Sequence, residues 1–523
     1  MSTRRAALAL AVAVVTVGAC SGRDVHTDSA ATVGSTTGRE SPPAVTTTAP
    51  PTRPSSTDAP DTPAPTTDGG TATTEQPGAR PAPAVEPSTS SGDVLYPELG
   101  SADLDVQSYD VAVSYDPTTE LLAGTVTITT LVDRPLAALA LDATDLTVDA
   151  VTVDGATASF EQSGSELIVR PTASMLPGRE VAVAVTYHDD EHAADPPFGY
   201  GSGWYPTDGG AYVINEPTGA RTWLPSNDHP SDKATWRFEI TVPAGLTAVA
   251  NGTLAEERAG DGTTTWVWTQ ADPMSTYLVQ LLVGDYVVLD GGLAGTVPLT
   301  NVALAGDVAQ MQPYFDMTAD QMAFFEHLFG PYPLAGYGLA FSDSGRGLAM
   351  ETQGRSLYSR GDFPGGPPGH VQQLFLSHEL VHQWFGDAVS PESWSDLWLN
   401  ESFATYGEWL WLDHAGFISL SDEALDNLQR RQVPTEPTGT PTEPDLFGYD
   451  RYEGGAVVVH ALRLELGDDL FFALLQQWVA DNDGTSRSTD DFIALAETVA
   501  GRDLDQFFAD WLFAPALPAA FPG

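Results

Sequence analysis

The chain has 523 residues, 22 Lys+Arg against 71 Asp+Glu, a formal net charge of -49 and one cysteine. With 42% hydrophobic residues, including 12 Trp, 16 Tyr and 21 Phe, it can bury a sizeable core and is not wholly disordered. The acidity excludes nucleic-acid binding, which needs clustered Lys and Arg, and a single cysteine excludes an internal disulfide and a thiolate metal cluster.

Residues 1–20 read as an export signal. Arg4 and Arg5 precede an apolar run from Ala6 to Ala19 that is too short to span a bilayer permanently. Val17-Gly18-Ala19-Cys20 resembles a bacterial lipoprotein cleavage box, which implies that Cys20 becomes the lipidated first residue of an exported chain held on the outer face of the cell membrane. Residues 21–95 are dominated by Thr, Pro, Ser, Ala and Gly and are expected to form a disordered linker, because they cannot bury enough apolar surface to offset their ordering entropy.

Residues 96–292 show period-two patterns. Tyr109, Val111, Val113 and Tyr115 alternate with polar residues, as do Trp236, Phe238, Ile240 and Val242, and Asp154-Gly155 sits between alternating runs as a hairpin turn. This stretch is expected to be an antiparallel β-rich domain. Residues 293–523 turn helical, over Met311–Phe329, Val371–Phe385, Asp396–His414, Ala456–Leu466, Phe471–Val479 and Asp505–Phe513. The fold class is therefore multidomain α+β.

The chemistry concentrates at His378-Glu379-Leu380-Val381-His382. Helical spacing puts the two histidines one turn apart on one face, so both imidazoles can reach one Zn²⁺ with Glu379 beside them as general base. Glu401, nineteen residues after His382, can return on a second helix as the third ligand, leaving one position open to water. Glu408 lies two turns further on the same face; it either orients a metal-bound histidine or is a solvated acid. One zinc per chain is expected.

His378–His382 with Gln383-Trp384-Phe385-Gly386-Asp387, followed by Trp398-Leu399-Asn400-Glu401-Ser402-Phe403-Ala404, closely resembles the M1 family of zinc aminopeptidases, of the gluzincin clan. The resemblance implies a saddle-like or sandwich-like N-terminal β domain and a thermolysin-like catalytic domain, with a small sheet ahead of the histidine helix. Leu348-Ala349-Met350-Glu351-Thr352 stands in place of the family's Gly-Ala-Met-Glu-Asn motif, which implies that Ala349 and Met350 contact substrate from an edge strand and that Glu351 binds its free α-amine. Glu216, in Val213-Ile214-Asn215-Glu216-Pro217, is similar in position to the family's second amine-contacting residue. Tyr452-Glu453-Gly454-Gly455 resembles the Tyr-x-Lys-Gly element, which implies that Tyr452 stabilises the transition state, with Tyr449 as a competing candidate. Gly454 departs from the family's lysine, and Ser402 stands where the family usually has glycine. The chain stops where longer members carry a further helical domain, and a more open cleft is expected.

The resemblance implies hydrolysis of peptides with a free N-terminus; the sequence leaves the oligomeric state open, and a monomer is taken as the starting point. The rivals are a gluzincin endopeptidase and a non-catalytic surface binding protein on the same fold. Asn251-Gly252-Thr253 and Asn400-Glu401-Ser402 fit glycosylation triplets, but the first reads as a turn and the second as part of the site. The other histidines lack ligand-like spacing and read as surface or core residues.

Overall fold

The computed structural model describes residues 84–189 and 202–523, so the readings of the export signal, Cys20 and most of the linker lie outside the described residues. The linker's last part does not match its expectation. Residues 84–95 pack on the folded body: Val85 bridges Leu136, and Asp93 is buried. Buried anchors can hold a chain of unpromising composition when the partners lie far away in sequence, and Asp93 has one such partner 301 residues on.

The first half is built on an eight-stranded sheet. Its central strand, Leu104–Asp116, pairs antiparallel with Leu121–Val132 and parallel with Ala234–Pro243, with Val111 opposite both Val126 and Phe238. Alternate residues of Ala234–Pro243 are buried, as a half-buried strand requires, and Trp236 stacks on Tyr109 with ring centroids 4.0 Å apart. Asp154 and Gly155 turn the chain with φ of 50° and 76°, and Val153 pairs with Ala156 across them, the positive-φ turn that matches strand twist. A four-stranded sheet carries Gly210–Ile214 in its interior, which aims Asn215 and Glu216 off the strand end.

A five-stranded sheet begins the second half. It starts at Tyr286–Ala294, slightly ahead of the expected division at 292/293, and its edge strand is Ala349–Met350, paired antiparallel with Ser356–Ser359. Helices follow the sheet's second strand: α1 Val308–Phe315, α2 Thr318–Phe329, α3 His370–His382, α4 Trp398–His414, α5 Leu420–Arg430, α6 Glu453–Leu466, α7 Asp468–Asn482, α8 Thr489–Ala500 and α9 Asp505–Trp511. The single helix expected over 311–329 is two, because the Met317 amide bonds three residues back to Tyr314 and breaks the α ladder. Helices α5 and α8 were not expected, although each starts with a serine cap: Ser419 accepts from the Asp422 amide and Ser488 from the Asp491 amide. Helices α3 and α4 approach closely at Gly407, where an added Cβ would lie 2.4 Å from a Val381 methyl.

The two halves and the strap at 84–95 meet at Asp93. One carboxylate oxygen accepts from the amides of Leu95 and Tyr96, and the other accepts from the Trp394 amide at 2.8 Å with His229 3.4 Å away. Burial opposes ionisation, but His229 and the three amides outweigh it and hold the carboxyl at about 2. Because this lies below its ordinary value, the stabilisation is full above that value and is lost as pH falls toward 2. Asp93→Asn is therefore expected to lower unfolding free energy by about 2 kcal/mol at neutral pH, with the difference from wild type vanishing between about pH 5 and about pH 2. Denaturant titrations of both proteins across that range check it.

Candidate active site

Helix α3 carries His378, Glu379 and His382, all buried, and α4 carries Glu401 and Glu408, also buried. The two imidazole Nε2 atoms lie 3.0 Å apart, and Glu401 Oε2 is 3.2 Å from the first and 3.5 Å from the second. The outer ring nitrogens settle what these atoms are. His382 Nδ1 faces the Phe385 carbonyl at 3.1 Å, which can only accept, so Nδ1 carries the proton. His378 Nδ1 faces Glu408 at 2.5 Å and donates to it. In the neutral rings both Nε2 atoms are then bare lone pairs, converging with a carboxylate oxygen on one buried point.

Such an arrangement is repulsive unless a cation occupies the point. Glu408 is thus the orienting residue of the two readings offered for it, not a solvated acid. Where no metal is bound, burial disfavours protonation of His378, yet Glu408 and Glu401 hold the ring well above the usual histidine range, and a proton takes the cation's place. Burial likewise opposes the charge on Glu401, but His382 and His378 keep its carboxyl at about 2, so it stays an anion. Two imidazoles and one carboxylate are the donor set of a catalytic zinc with a fourth position open.

Further acids crowd this point. Glu351 directly follows the edge strand and is 3% exposed, and Glu216 follows Gly210–Ile214. Carboxylate oxygens of Glu216, Glu351 and Glu401 lie within 4.8 Å of one another, as do ligand atoms of Glu351, Glu379 and His382. Glu216 Oε1 and Glu351 Oε1 are buried without a hydrogen-bond partner among the described residues. Burial, with the neighbouring acids, pushes the Glu216 carboxyl well up, and burial pushes Glu379 up to about 8. Unpaired buried carboxyl oxygens just beyond two strands, one interior and one at an edge, suit a cationic ligand presented there.

Tyr452 precedes α6, and its ring lies parallel to that of His378 with centroids 6.0 Å apart. Tyr449 instead directs its hydroxyl to Asn427, 3.0 Å from Oδ1, so of the two tyrosines Tyr452 is the one at the site. Ala349 is half-buried on the edge strand, while Met350 turns its side chain into the core at 4% exposure. Asn251 and Asn400 are fully buried, which excludes glycosylation of either in the folded chain. His229 and His460 are buried and paired with Asp93 and Tyr406, as core residues.

Several supporting residues escaped the sequence reading. Gln383 donates to the Glu351 carbonyl at 3.0 Å and accepts from the Gly354 amide at 2.8 Å, tying α3 to the edge strand. The chain's one lysine, Lys233, reaches from the β-rich half to cap the chain beyond α3, donating to the carbonyls of Asp387 at 2.6 Å and Ala388 at 3.1 Å. Arg355, fully buried, donates to carbonyls of Ala250, Gly252 and Thr300. A lone lysine was the one visible signal; the others look like ordinary polar residues until their partners are known.

Residues 314–511 match the family model of the peptidase family M1 domain, and residues 106–278 that of the peptidase M1 N-terminal domain. Aminopeptidase M1 of Arabidopsis thaliana is 28% identical over 57% of this chain and 36% of its own. Aminopeptidase N of Lactococcus lactis subsp. lactis is 30% identical over 57% of this chain and 38% of its own. The chain thus spans between about a third and a half of the curated relatives it matches. The M1 zinc metallopeptidase of Deinococcus radiodurans superposes with a TM-score of 0.74 at 32% identity, covering 83% of this chain and 99% of that one. A mutant of the same metallopeptidase bound to a Tyr-Ser-Ala substrate gives a TM-score of 0.75 at 33% identity, with the same coverage.

Because Glu408 holds the ring of His378, one of the three converging donors, Glu408→Ala is expected to weaken zinc retention by about 10–100-fold while helix content stays unchanged. Competition against a chelator of known affinity, beside circular dichroism, measures both.

Proposed function

The chain belongs to peptidase family M1, and on that premise we propose that it is a zinc-dependent aminopeptidase that removes N-terminal residues from peptides. The observation that carries this reading is the pair of buried, unpartnered carboxylate oxygens on Glu216 and Glu351, beside the two histidines and Glu401. A protonated α-amine is a compact cation, and carboxylates placed there both bind it and set which peptide bond lies at the reacting point. The names of the relatives agree with this reading.

His378, His382 and Glu401 would hold the zinc ion, which when bound supplies a Lewis acid that polarises a carbonyl and acidifies water. Glu379 takes a proton from the attacking water as the new C–O bond forms, and delivers it to the amine nitrogen as the C–N bond breaks. Tyr452 donates its hydroxyl proton in a hydrogen bond to the former carbonyl oxygen as negative charge gathers there. Burial, reinforced by Glu401, Glu216 and Glu351, keeps that phenol protonated. The backbone of Ala349 and Met350 lies along the peptide. All these residues come from one chain, so a monomer suffices. Export and lipidation of Cys20 would place the enzyme on the outer face of the cell membrane, and Cys20→Ala is expected to leave it unlabelled by an alkyne fatty acid and free of the membrane fraction.

With aminoacyl-fluorophore substrates we expect hydrolysis that a chelator abolishes and zinc restores. N-acetylated substrates should be inert; their cleavage at a comparable rate would point to an endopeptidase instead. Glu379→Gln should lower kcat by about 10²–10⁴-fold at unchanged zinc content. Glu351→Gln should lower kcat/KM for free-amine substrates by about 10²-fold, also without loss of zinc.

A further inference from the structure

We infer that the Ser402 hydroxyl is a positioning residue that sets Tyr452 against the zinc ligand Glu401; this rests on the aminopeptidase reading above. Ser402 follows Glu401 on α4 and is fully buried. Its Oγ donates to the Arg451 carbonyl at 2.7 Å. That carbonyl belongs to the peptide unit whose nitrogen is Tyr452's own. Two consecutive residues of one helix therefore hold two parts of the site: Glu401 faces the histidines, and Ser402 grips the plane from which the tyrosine side chain projects.

The first turn of α6 is built around this grip. A Cβ at Gly455 would lie 1.9 Å from Ser402 Oγ, so any side chain there would expel the hydroxyl. On its far side, the turn before Tyr452 is tied outward. Arg451 donates to the carbonyls of Pro437 at 2.9 Å and Asp445 at 2.6 Å, Arg431 pairs with Asp450, and Thr438 donates to the Asp450 carbonyl at 2.9 Å. Those bonds attach the turn to the loop after α5, which holds no part of the zinc site. Ser402 attaches it to the helix that does.

Donation to a developing oxyanion needs a heavy-atom distance within a few tenths of an ångström, and a misplacement of about 1 Å can cost about 10²-fold in rate. Loss of the Ser402 hydroxyl leaves the Arg451 carbonyl unpaired in a buried place and lets its peptide plane rotate. The amine site and the zinc ligands do not depend on that plane. The effect should therefore fall on kcat, with KM and zinc content spared.

A double-mutant cycle tests this. Ser402→Ala, and Ser402→Gly as a second variant, should each lower kcat at least about tenfold on a free-amine aminoacyl substrate, with KM changed less than about twofold and zinc still at one per chain. In a Tyr452→Phe background the same changes should lower kcat further by less than about twofold, since there is no hydroxyl left to misplace. Equal falls in both backgrounds would show a general structural role and overturn the inference, as would loss of zinc in step with kcat or undiminished kcat in both Ser402 variants. If Tyr452→Phe alone retains wild-type kcat, the oxyanion role of Tyr452 fails and this inference falls with it.

Discussion

Three lone pairs meet at one buried point, and the architecture around them exists to keep them there. Two imidazole nitrogens 3.0 Å apart beside a carboxylate oxygen would separate if their side chains were free. They are not free. Glu408 and the Phe385 carbonyl lock the rings from behind, and α3 and α4 approach so closely at Gly407 that neither helix can turn away. A site held in this way meets its metal with the donors already placed, so little ordering entropy is spent on binding it.

The β-rich half takes part in this site. Glu216 comes from the end of one of its strands, Lys233 caps the chain beyond α3, and Arg355 answers carbonyls from both halves. Asp93 pins the strap that precedes the first long strand to His229 and to the Trp394 amide, just ahead of α4. Lys233, Arg355 and Asp93 are each satisfied by more than one partner away from bulk water, so the halves cannot slide without leaving one of them unpaired.

The charge of -49 also resolves into distinct parts. A small set of acids forms the site, where burial and mutual repulsion make a positive ligand welcome. Others serve as buried acceptors for backbone amides: Asp142 takes those of Gly100 and Asp228, and Asp232 takes that of Val106. Burial, with Asp228 beside it, pushes the Asp142 carboxyl up to about 7, and burial pushes that of half-buried Asp232 up to about 7. Other acids, exposed such as Asp469 and Asp510, face solvent and give the surface a negative field.

By itself the sequence determined that His378, Glu379 and His382 share one stretch of helix, because helix periodicity converts spacing directly into shared faces, and it offered Glu401 as the carboxylate that a second helix could return to them. It also determined the strand-rich and helix-rich halves, through two different apolar periods. Only the tertiary structure decided which tyrosine reaches the site, that Glu408 holds a histidine, that Met350 turns inward, and that Gln383, Arg355, Ser402 and the strap at 84–95 support the rest. Tyr449 and Tyr452 are three residues apart, and the motif match that favours Tyr452 is incomplete; Asn427, a partner 22 residues upstream of Tyr449, draws that hydroxyl elsewhere. The physical reason is general. Ligands one helical turn apart are local facts, whereas Ser402 and Arg451, or Asp93 and Trp394, are brought together only by the packing of whole elements, which no window of sequence contains.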